Sequence, residues 1–363
     1  MRVVVIGLGA AAYRILIPAV RATPALSLTA ACEPDAAARD RAARAGIGPL
    51  FATPREAIDA GRPDLVVVAT PPDSHREHCV MALESGAHVL CEKPFVPSLG
   101  DADAILAAAA RAGRQVAVNN QYTAMPVFRA ARETIGRGTI GDLLFVSVWQ
   151  TTLEPPARNM GWRGALRRRT LFEFGNHAVD LLIDLFGERP RAVSCAVSSD
   201  GGERVWDAFV AATLFFSRGR MASLVIDRVS RGRWRYLDLR AEGPRGTLRA
   251  SLGGEARVAA GIDGLARVPF LNVQMTRGGF AWLETGERRR VIAKNPPDPY
   301  RAAGRAHLGA FVEAIAAGRP FERNAAANRA VIETIAAGYL SADLGRTVDI
   351  AADRDAIAKE VLA

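Results

Sequence analysis

Lysine, cysteine and histidine are scarce in this chain of 363 residues, and each scarcity narrows what the chain can do. Only Lys93, Lys294 and Lys359 stand among 47 basic residues, which leaves 44 arginines. Against 38 acidic residues the formal charge is +9, enough to suggest attraction to phosphates, carboxylates or nucleic acid. The alanine- and arginine-rich usage reads instead as coding background, and no recognition helix or aromatic platform for nucleic acid is visible. A guanidinium stays charged at any working pH while an ammonium can give up its proton, so the three lysines are singled out as candidates for chemistry. The four cysteines, Cys32, Cys79, Cys91 and Cys195, show neither CxxC nor CxxH spacing. That spacing excludes a disulfide framework and a zinc site, so no metal and a reduced, cytoplasmic setting are expected. No apolar stretch approaches the roughly 18 residues of a membrane span, and the run Val3 to Ile6 is too short for a signal peptide.

What is present falls into two textures. Residues 2 to 6 form a β-branched run that predicts a strand buried on both faces, and Gly7 ends it. Further runs at Leu26 to Cys32, Leu65 to Ala69, His88 to Cys91 and Gln115 to Val118 alternate with alanine-rich helical patterns, such as Ser74 to Ser85 and Ser98 to Ala112. Strand and helix in alternation predict a doubly wound α/β domain over residues 1–120. From residue 121 to 363 the pattern predicts an α+β domain with an open, mainly antiparallel sheet. Its expected strands are Leu144 to Gln150, Ala192 to Ser198, Ala208 to Phe216, Arg220 to Asp227 and Arg233 to Arg240. Helices are expected at Val127 to Ile135, Leu171 to Phe186, Ala302 to Ala317 and Ala326 to Ala342. Arg231, Arg233 and Arg235 alternate along one strand and predict a polar face toward solvent or a subunit contact.

Chemistry gathers at the carboxyl ends of the predicted parallel strands, where open α/β sheets bind ligands. Gly7-Leu8-Gly9-Ala10-Ala11-Ala12 follows the first strand: Gly7 permits a tight turn, Gly9 leaves room for a pyrophosphate, and Ala12 takes the place of a third glycine. Glu33 lies at the end of the second strand, where a carboxylate accepts from ribose hydroxyls and repels a 2′-phosphate, so NAD is expected over NADP. Thr70, Pro71, Pro72 and His75 follow the next strand, with His75 read as a structural residue of a helix start. Glu92-Lys93-Pro94 follows the one after. Lys93 is the only lysine before residue 294, and its titratable amine can exchange a proton with a substrate hydroxyl more readily than a guanidinium can.

Together with Gly86-Ala87-His88-Val89-Leu90-Cys91 and with Gly175-x-His177-x-x-Asp180, these motifs resemble the glucose-fructose oxidoreductase / inositol dehydrogenase / rhizopine catabolism (Gfo/Idh/MocA) family. The likeness runs on to Gly318-Arg319-Pro320 and to the closing Ser341 to Val348. It implies a Rossmann domain, a C-terminal domain whose sheet forms a homodimer or homotetramer, a nicotinamide cofactor and a sugar-like or cyclitol substrate. It also implies Lys93, Glu173 and His177 as the polar catalytic set, with Gly7, Gly9, Ala10, Ala12, Glu33, Thr70, Pro71, Pro72, His75, Glu92, Lys93 and Gln121 around the cofactor. Tyr122, Arg163, Arg169 and Asp180 are candidates for the substrate. The chain departs from the family where Glu173 replaces the commoner aspartate, and where Leu166-Arg167-Arg168-Arg169-Thr170 replaces a glycine-rich turn.

The helix expected from Leu171 supports that mapping by its own physics. At about 100° per residue Glu173, His177, Asp180 and Asp184 share one narrow stripe of an otherwise apolar helix. Carboxylates there are costly unless they meet solvent, partners or ligand. Arg167 to Arg169, just before the helix, either hold a carboxylate or phosphate of an anionic substrate or face solvent. The reading is a dehydrogenase acting on a secondary alcohol of a sugar, cyclitol or sugar derivative. Its alternatives are an enzyme that recycles bound NAD to cleave glycosides, and a non-catalytic NAD-binding regulator.

Overall fold

The computed structural model describes the chain except for residues 155–160, 200–206, 232–235, 254–255, 263–268, 276–277, 287 and 363, and gives the backbone alone for 256–262 and 269–275. Arg233 and Arg235 therefore lie outside the described residues.

The first half is a doubly wound sheet. Strands β1 (Arg2–Ile6), β2 (Ser27–Cys32), β3 (Leu50–Phe51), β4 (Leu65–Val68), β5 (His88–Cys91) and β6 (Val116–Val118) are all parallel, in the order β3-β2-β1-β4-β5-β6. Every residue of β4 and all but the first of β1 and β5 are buried, as their unbroken apolar runs require of strands covered on both faces. Five helices wind around it: α1 (Ile17–Arg21), α2 (Ala36–Arg44), α3 (Pro54–Gly61), α4 (His75–Glu84) and α5 (Leu99–Ala112). Their ends are written locally. Thr53 and Glu56 close a capping box at the start of α3, while Ser98 accepts from Asp101 N at α5 and Gly113 ends that helix in the left-handed region. The strand order reverses between β1 and β4, so the ligand crevice of such a sheet opens where Gly7 and Thr70 stand.

After α6 (Pro126–Gly136) the chain builds the second sheet from β7 (Phe145–Thr151), β8 (Ala192–Ser198), β9 (Phe209–Phe215), β10 (Met221–Asp227), β11 (Tyr236–Gly243) and β12 (Gly246–Leu252). A separate hairpin, β13 (Ala256–Ile262) and β14 (Pro269–Met275), follows, and then β15 (Phe280–Thr285), β16 (Arg288–Lys294) and the short β17 (Val348–Asp349). The nine-stranded order is β16-β15-β12-β11-β7-β10-β9-β8-β17. Every pair is antiparallel except β7 with β10, which is parallel. One face is apolar and covered by α8 (Asn176–Phe186), which follows the short α7 (Trp162–Ala165), and by α10 (Ala325–Leu344). The other face carries cross-strand rows, Phe145 with Met221 and Phe215, and Trp149 with Val225 and Ala211, and Trp149 is 57% exposed.

Helix α9 (Pro299–Ala316) returns to the first sheet. Its Leu308, Phe311, Val312 and Ala314 join Val3, Val5, Leu65, Val67 and Leu90 in one buried cluster, each large side chain contributing about 1.5–3 kcal/mol relative to exposure. Ala117 of β6 pairs with Asn324, and α10 then lies against α5 and β6 on one side and α8 and β8 on the other. The chain ends on α11 (Arg354–Ile357), and Leu362 N donates to Pro97 O.

Candidate active site

The nucleotide side of the site is set by backbone. Gly7 has φ +89°, and a Cβ there would stand 2.8 Å from Thr70 Cγ2 and 2.9 Å from the Ala69 carbonyl, so glycine alone lets the chain turn beside the end of β4. At Gly9 a Cβ would meet nothing nearer than Ala69 O at 4.0 Å, leaving an open backbone where a pyrophosphate can approach. Ala10 is exposed above this turn, while Ala12 is fully buried at the helix start. Glu33 reaches back across the crevice, its Oε2 accepting from Leu8 N at 3.0 Å and its Oε1 from Asp35 N at 3.2 Å. Each carboxylate oxygen keeps a further lone pair for a ribose hydroxyl.

The loops after β4 and β5 are tied together beneath the crevice. His75 is wholly buried between them, Nδ1 2.7 Å from Phe95 O and Nε2 2.8 Å from Thr70 O, and burial pushes its imidazole pKa down. It positions the loops rather than facing the crevice. Pro71 leads into a 3₁₀ turn over Pro72–Ser74, where Ser74 Oγ donates to Thr70 Oγ1 at 2.9 Å. Glu92 accepts from Asn119 Nδ2 at 2.5 Å and from Lys93 N at 3.1 Å; burial pushes its carboxyl up, against the pull of those two partners. Beyond β6, Asn120 Nδ2 donates to Asn328 Oδ1 of α10, and Gln121 is buried with an Oε1 that finds no protein partner among the described residues. An open glycine backbone, an acceptor carboxylate at the end of β2 and an unsatisfied amide oxygen past β6 suit a dinucleotide.

The second domain supplies the other half. Glu173 lies in a π-helical turn, Thr170–Phe174, in which Gly175 N donates to Thr170 O. Asp207 caps that turn, Oδ1 accepting from Arg169 N at 2.6 Å and Thr170 N at 2.9 Å, while Tyr339 donates to its Oδ2. Gly175 is needed because a Cβ there would stand 2.9 Å from the Leu171 backbone carbonyl oxygen, with Ile226 Cδ1 of β10 at 2.5 Å. Lys93 Nζ donates to the Glu173 backbone carbonyl at 3.1 Å and lies 3.9 Å from Glu173 Oε1. Arg163 Nε is 3.4 Å from the same oxygen, with its guanidinium over the Trp162 ring. Arg228 Nη1 donates to Glu173 Oε2 at 2.7 Å. Burial alone would push the Glu173 carboxyl up, but Lys93, Arg228 and Arg163 hold it well below the usual carboxylate range. One turn on, His177 stacks face to face on Tyr122, ring centres 3.8 Å apart. The structure thus brings Lys93, Glu173, His177, Tyr122 and Arg163 to the carboxyl ends of β5 and β6.

Two expectations are corrected. The polar stripe of the helix is divided: Asp180 and Asp184 are buried against Arg323, which bonds both, and Arg132 Nε stands 3.4 Å from Asp184. Asp180 is therefore sealed in an ion pair and not presented to a substrate, because Arg323 from the segment before α10 covers that part of the face. Nor do Arg167 to Arg169 form an anion-binding group. Arg169 is fully buried against Glu154, Arg168 bonds Asp343 and Glu360 near the C-terminus, and Arg167 is exposed. Arg228, Glu154, Asp207 and Arg323 were not singled out by sequence; in a chain with 44 arginines two more carry no mark, and the acids have no motif.

A doubly wound sheet with a glycine turn at its reversal, faced by a lysine and carboxylate brought from two domains, has the architecture of a dinucleotide-dependent oxidoreductase. Residues 1–120 match the profile described as "Oxidoreductase family, NAD-binding Rossmann fold", and residues 128–249 match the GFO/IDH/MocA C-terminal domain. The chain belongs to the Gfo/Idh/MocA oxidoreductase family. It is 35% identical over 118 residues to 1,5-anhydro-D-fructose reductase of Ensifer adhaerens, and 28% identical over 233 residues to D-apiose dehydrogenase of Paraburkholderia graminis. These matches take in 32% and 62% of this chain, and 35% and 60% of those relatives' lengths. In fold it is similar to an oxidoreductase from Agrobacterium radiobacter solved with NAD+, L-tartaric acid and magnesium, with TM-score 0.80, 18% identity and coverage of 96% of this chain and 98% of that one. Among the described residues no cluster of His, Cys, Asp and Glu is placed to hold a metal, and no helix is long and apolar enough to cross a membrane.

Proposed function

We propose that the chain is an NAD-dependent dehydrogenase of a secondary alcohol in a sugar, cyclitol or sugar derivative. The observation that carries this is the contact of Lys93 Nζ with Glu173 across the two domains, at the carboxyl end of β5. Relatives named for 1,5-anhydro-D-fructose and D-apiose support a polyhydroxylated substrate. The residues that would hold the cofactor are Gly7, Gly9, Ala10 and Ala12 at the pyrophosphate, Glu33 at the ribose, and Thr70, Pro71, Glu92 and Gln121 toward the nicotinamide. Glu33 favours NAD, since its carboxylate repels a 2′-phosphate. Bound there, NAD supplies the hydride acceptor.

The chain's own residues handle the proton. Lys93 donates a hydrogen bond to the substrate oxygen and supports the charge that grows on it. His177 takes the hydroxyl proton as general base, its ring held flat by Tyr122. Glu173 keeps an anion beside Lys93. Arg163, 39% exposed in its side chain, is the cation left at the mouth for an acidic substituent of the substrate. The apolar rows on the outer face of the second sheet, Trp149 among them, support a homodimer or homotetramer through that face, and a cytoplasmic setting completes the reading.

The test is a screen of NAD reduction against neutral sugars, cyclitols and sugar acids, with Lys93→Met alongside. One NADH formed per product is expected, and formation slowed by about 10²–10⁴ with Lys93→Met. Substrate consumed without any NADH overturns the dehydrogenase reading in favour of a recycled cofactor.

A further inference from the structure

Glu173 sits between cations of unequal strength. Its Oε1 faces Arg163 Nε at 3.4 Å and Lys93 Nζ at 3.9 Å, and both of those side chains keep some contact with solvent, 39% and 16% exposed. Its Oε2 accepts from Arg228 Nη1 at 2.7 Å, and Arg228, just past β10, is 1% exposed. The other end of the same guanidinium, Nη2, donates to Glu154 Oε2, and Glu154 Oε1 accepts from Arg169 Nη2 at 2.9 Å. Lys93, Glu173, Arg228, Glu154 and Arg169 thus form a series of alternating sign, buried from Glu173 onward, whose last member has its backbone N–H on Asp207.

We propose that Arg228 is a positioning residue of the reaction: it grips Glu173 by one nitrogen and is gripped by Glu154 through another, so that Glu173 meets Lys93 as a fixed anion and takes no proton during turnover. The proposal rests on the dehydrogenase reading of Lys93, Glu173 and His177. A planar fork is suited to the task because it spans two carboxylates at once, which an ammonium on a flexible stem does poorly. The distances rank the neighbours. Among the cations bonded to Glu173 in the described residues, Arg228 is within hydrogen-bond reach of a carboxylate oxygen and shut away from water, where a charge pair is screened least. Among the described residues the charged and titratable groups around Glu173 are Lys93 from the loop after β5, with Glu92 beyond it; Arg163 from α7; Arg228 and Glu154 from the sheet side; Arg169 from the preceding turn; and His177 from α8. With Glu173 fixed, proton exchange with the substrate falls to Lys93 and His177.

The test is a carbon NMR titration of protein labelled with [5-¹³C]glutamate, the Glu173 signal being the one lost in Glu173→Gln. In the unaltered protein the signal is expected to stay flat from pH 8 to pH 5. Followed on down to pH 3, the Arg228→Gln signal is expected to titrate, its midpoint raised by about 1–3 pH units over that of the unaltered protein as the nearest opposite charge is lost. An Arg228 that merely supports the fold would lower the unfolding midpoint and leave the signal flat; that result overturns the proposal. A Glu173 signal that titrates above pH 5 in the unaltered protein overturns it too, and this arm stands even where Arg228→Gln fails to fold. No substrate is used, so the titration can fail while the sugar screen succeeds, and the reverse.

Discussion

Replacing Arg323 by methionine isolates a buried charge whose cost depends on pH. Arg323 comes from the segment before α10 and bonds both Asp180 and Asp184 of the helix that carries His177; the two aspartate side chains are 2% and 4% exposed. Burial already pushes the Asp180 carboxyl up to about 6 with the guanidinium in place. An unfolded aspartate titrates near 3.9, so the folded protein holds the extra proton between those values, and stability falls as pH rises from about 4 through about 6. Without Arg323 the Asp180 carboxyl moves higher still, by about 1–3 units for the loss of an adjacent opposite charge. Each unit adds about 1.4 kcal/mol to the difference between the two proteins at pH 8 and little at pH 5, where the carboxyl is protonated in both. At pH 8 this comes to about 1.4–2.8 kcal/mol, since a carboxyl raised past 8 is protonated there and costs no more, which is below the usual loss of about 3–5 kcal/mol for stripping one partner from a buried pair. Urea unfolding of both proteins at pH 5 and pH 8 measures this, with Asp180→Asn added to Arg323→Met expected to recover much of the loss at pH 8. A difference that is equal at the two pH values, or below about 1 kcal/mol at pH 8, refutes the reasoning.

Three further outcomes follow from the crevice. Glu33→Ser should raise affinity for NADP relative to NAD at least tenfold, about 1.4 kcal/mol, in cofactor titrations followed by fluorescence; unchanged preference removes Glu33 from the ribose site. Lys93→Met should lower turnover by about 10²–10⁴ while NAD binding stays within a few-fold, and a loss of cofactor binding of the same size would reassign Lys93 to the nucleotide. Gly7→Ala, placing a Cβ 2.8 Å from Thr70 Cγ2 at φ +89°, should weaken NAD binding and lower the thermal midpoint together; wild-type values for both would mean the turn relaxes freely.

What could be read from the sequence was what the chain writes locally. Gly7, Lys93 and the strand runs before them declare themselves because a turn, a cap or a buried strand is specified by residues a few positions apart. Helix α8 was likewise visible from its apolar repeat, and β8 from Ala192 to Ser198 falls at the bounds its alternation predicts. The charge partners are another matter. Arg228 lies 55 positions from Glu173 and Arg323 lies 143 from Asp180, so no spacing rule connects them. The same abundance of arginine that made Lys93 conspicuous hid both, and it made Arg167 to Arg169 look like a ligand site when tertiary packing turns Arg169 inward and Arg168 toward the C-terminus. The ideal 100° helix also concealed the π turn, which depends on Asp207 and Tyr339 arriving from elsewhere in the chain.

The return of α9 to the first sheet changes what counts as an exchangeable part. Residues 1–120 are contiguous and look like a cassette that could be swapped to change cofactor preference. Severed from α9, however, that sheet would lose Leu308, Phe311 and Val312 from one of its two layers and present an apolar face to water. The inheritable unit is discontinuous: a nucleotide half grafted from a relative must bring its own counterpart of Pro299–Ala316, or be matched to the one already present. Recombination across this fold is therefore governed by three crossover points rather than one, and chimeras cut near residue 120 alone should express poorly while those that also exchange α9 fold.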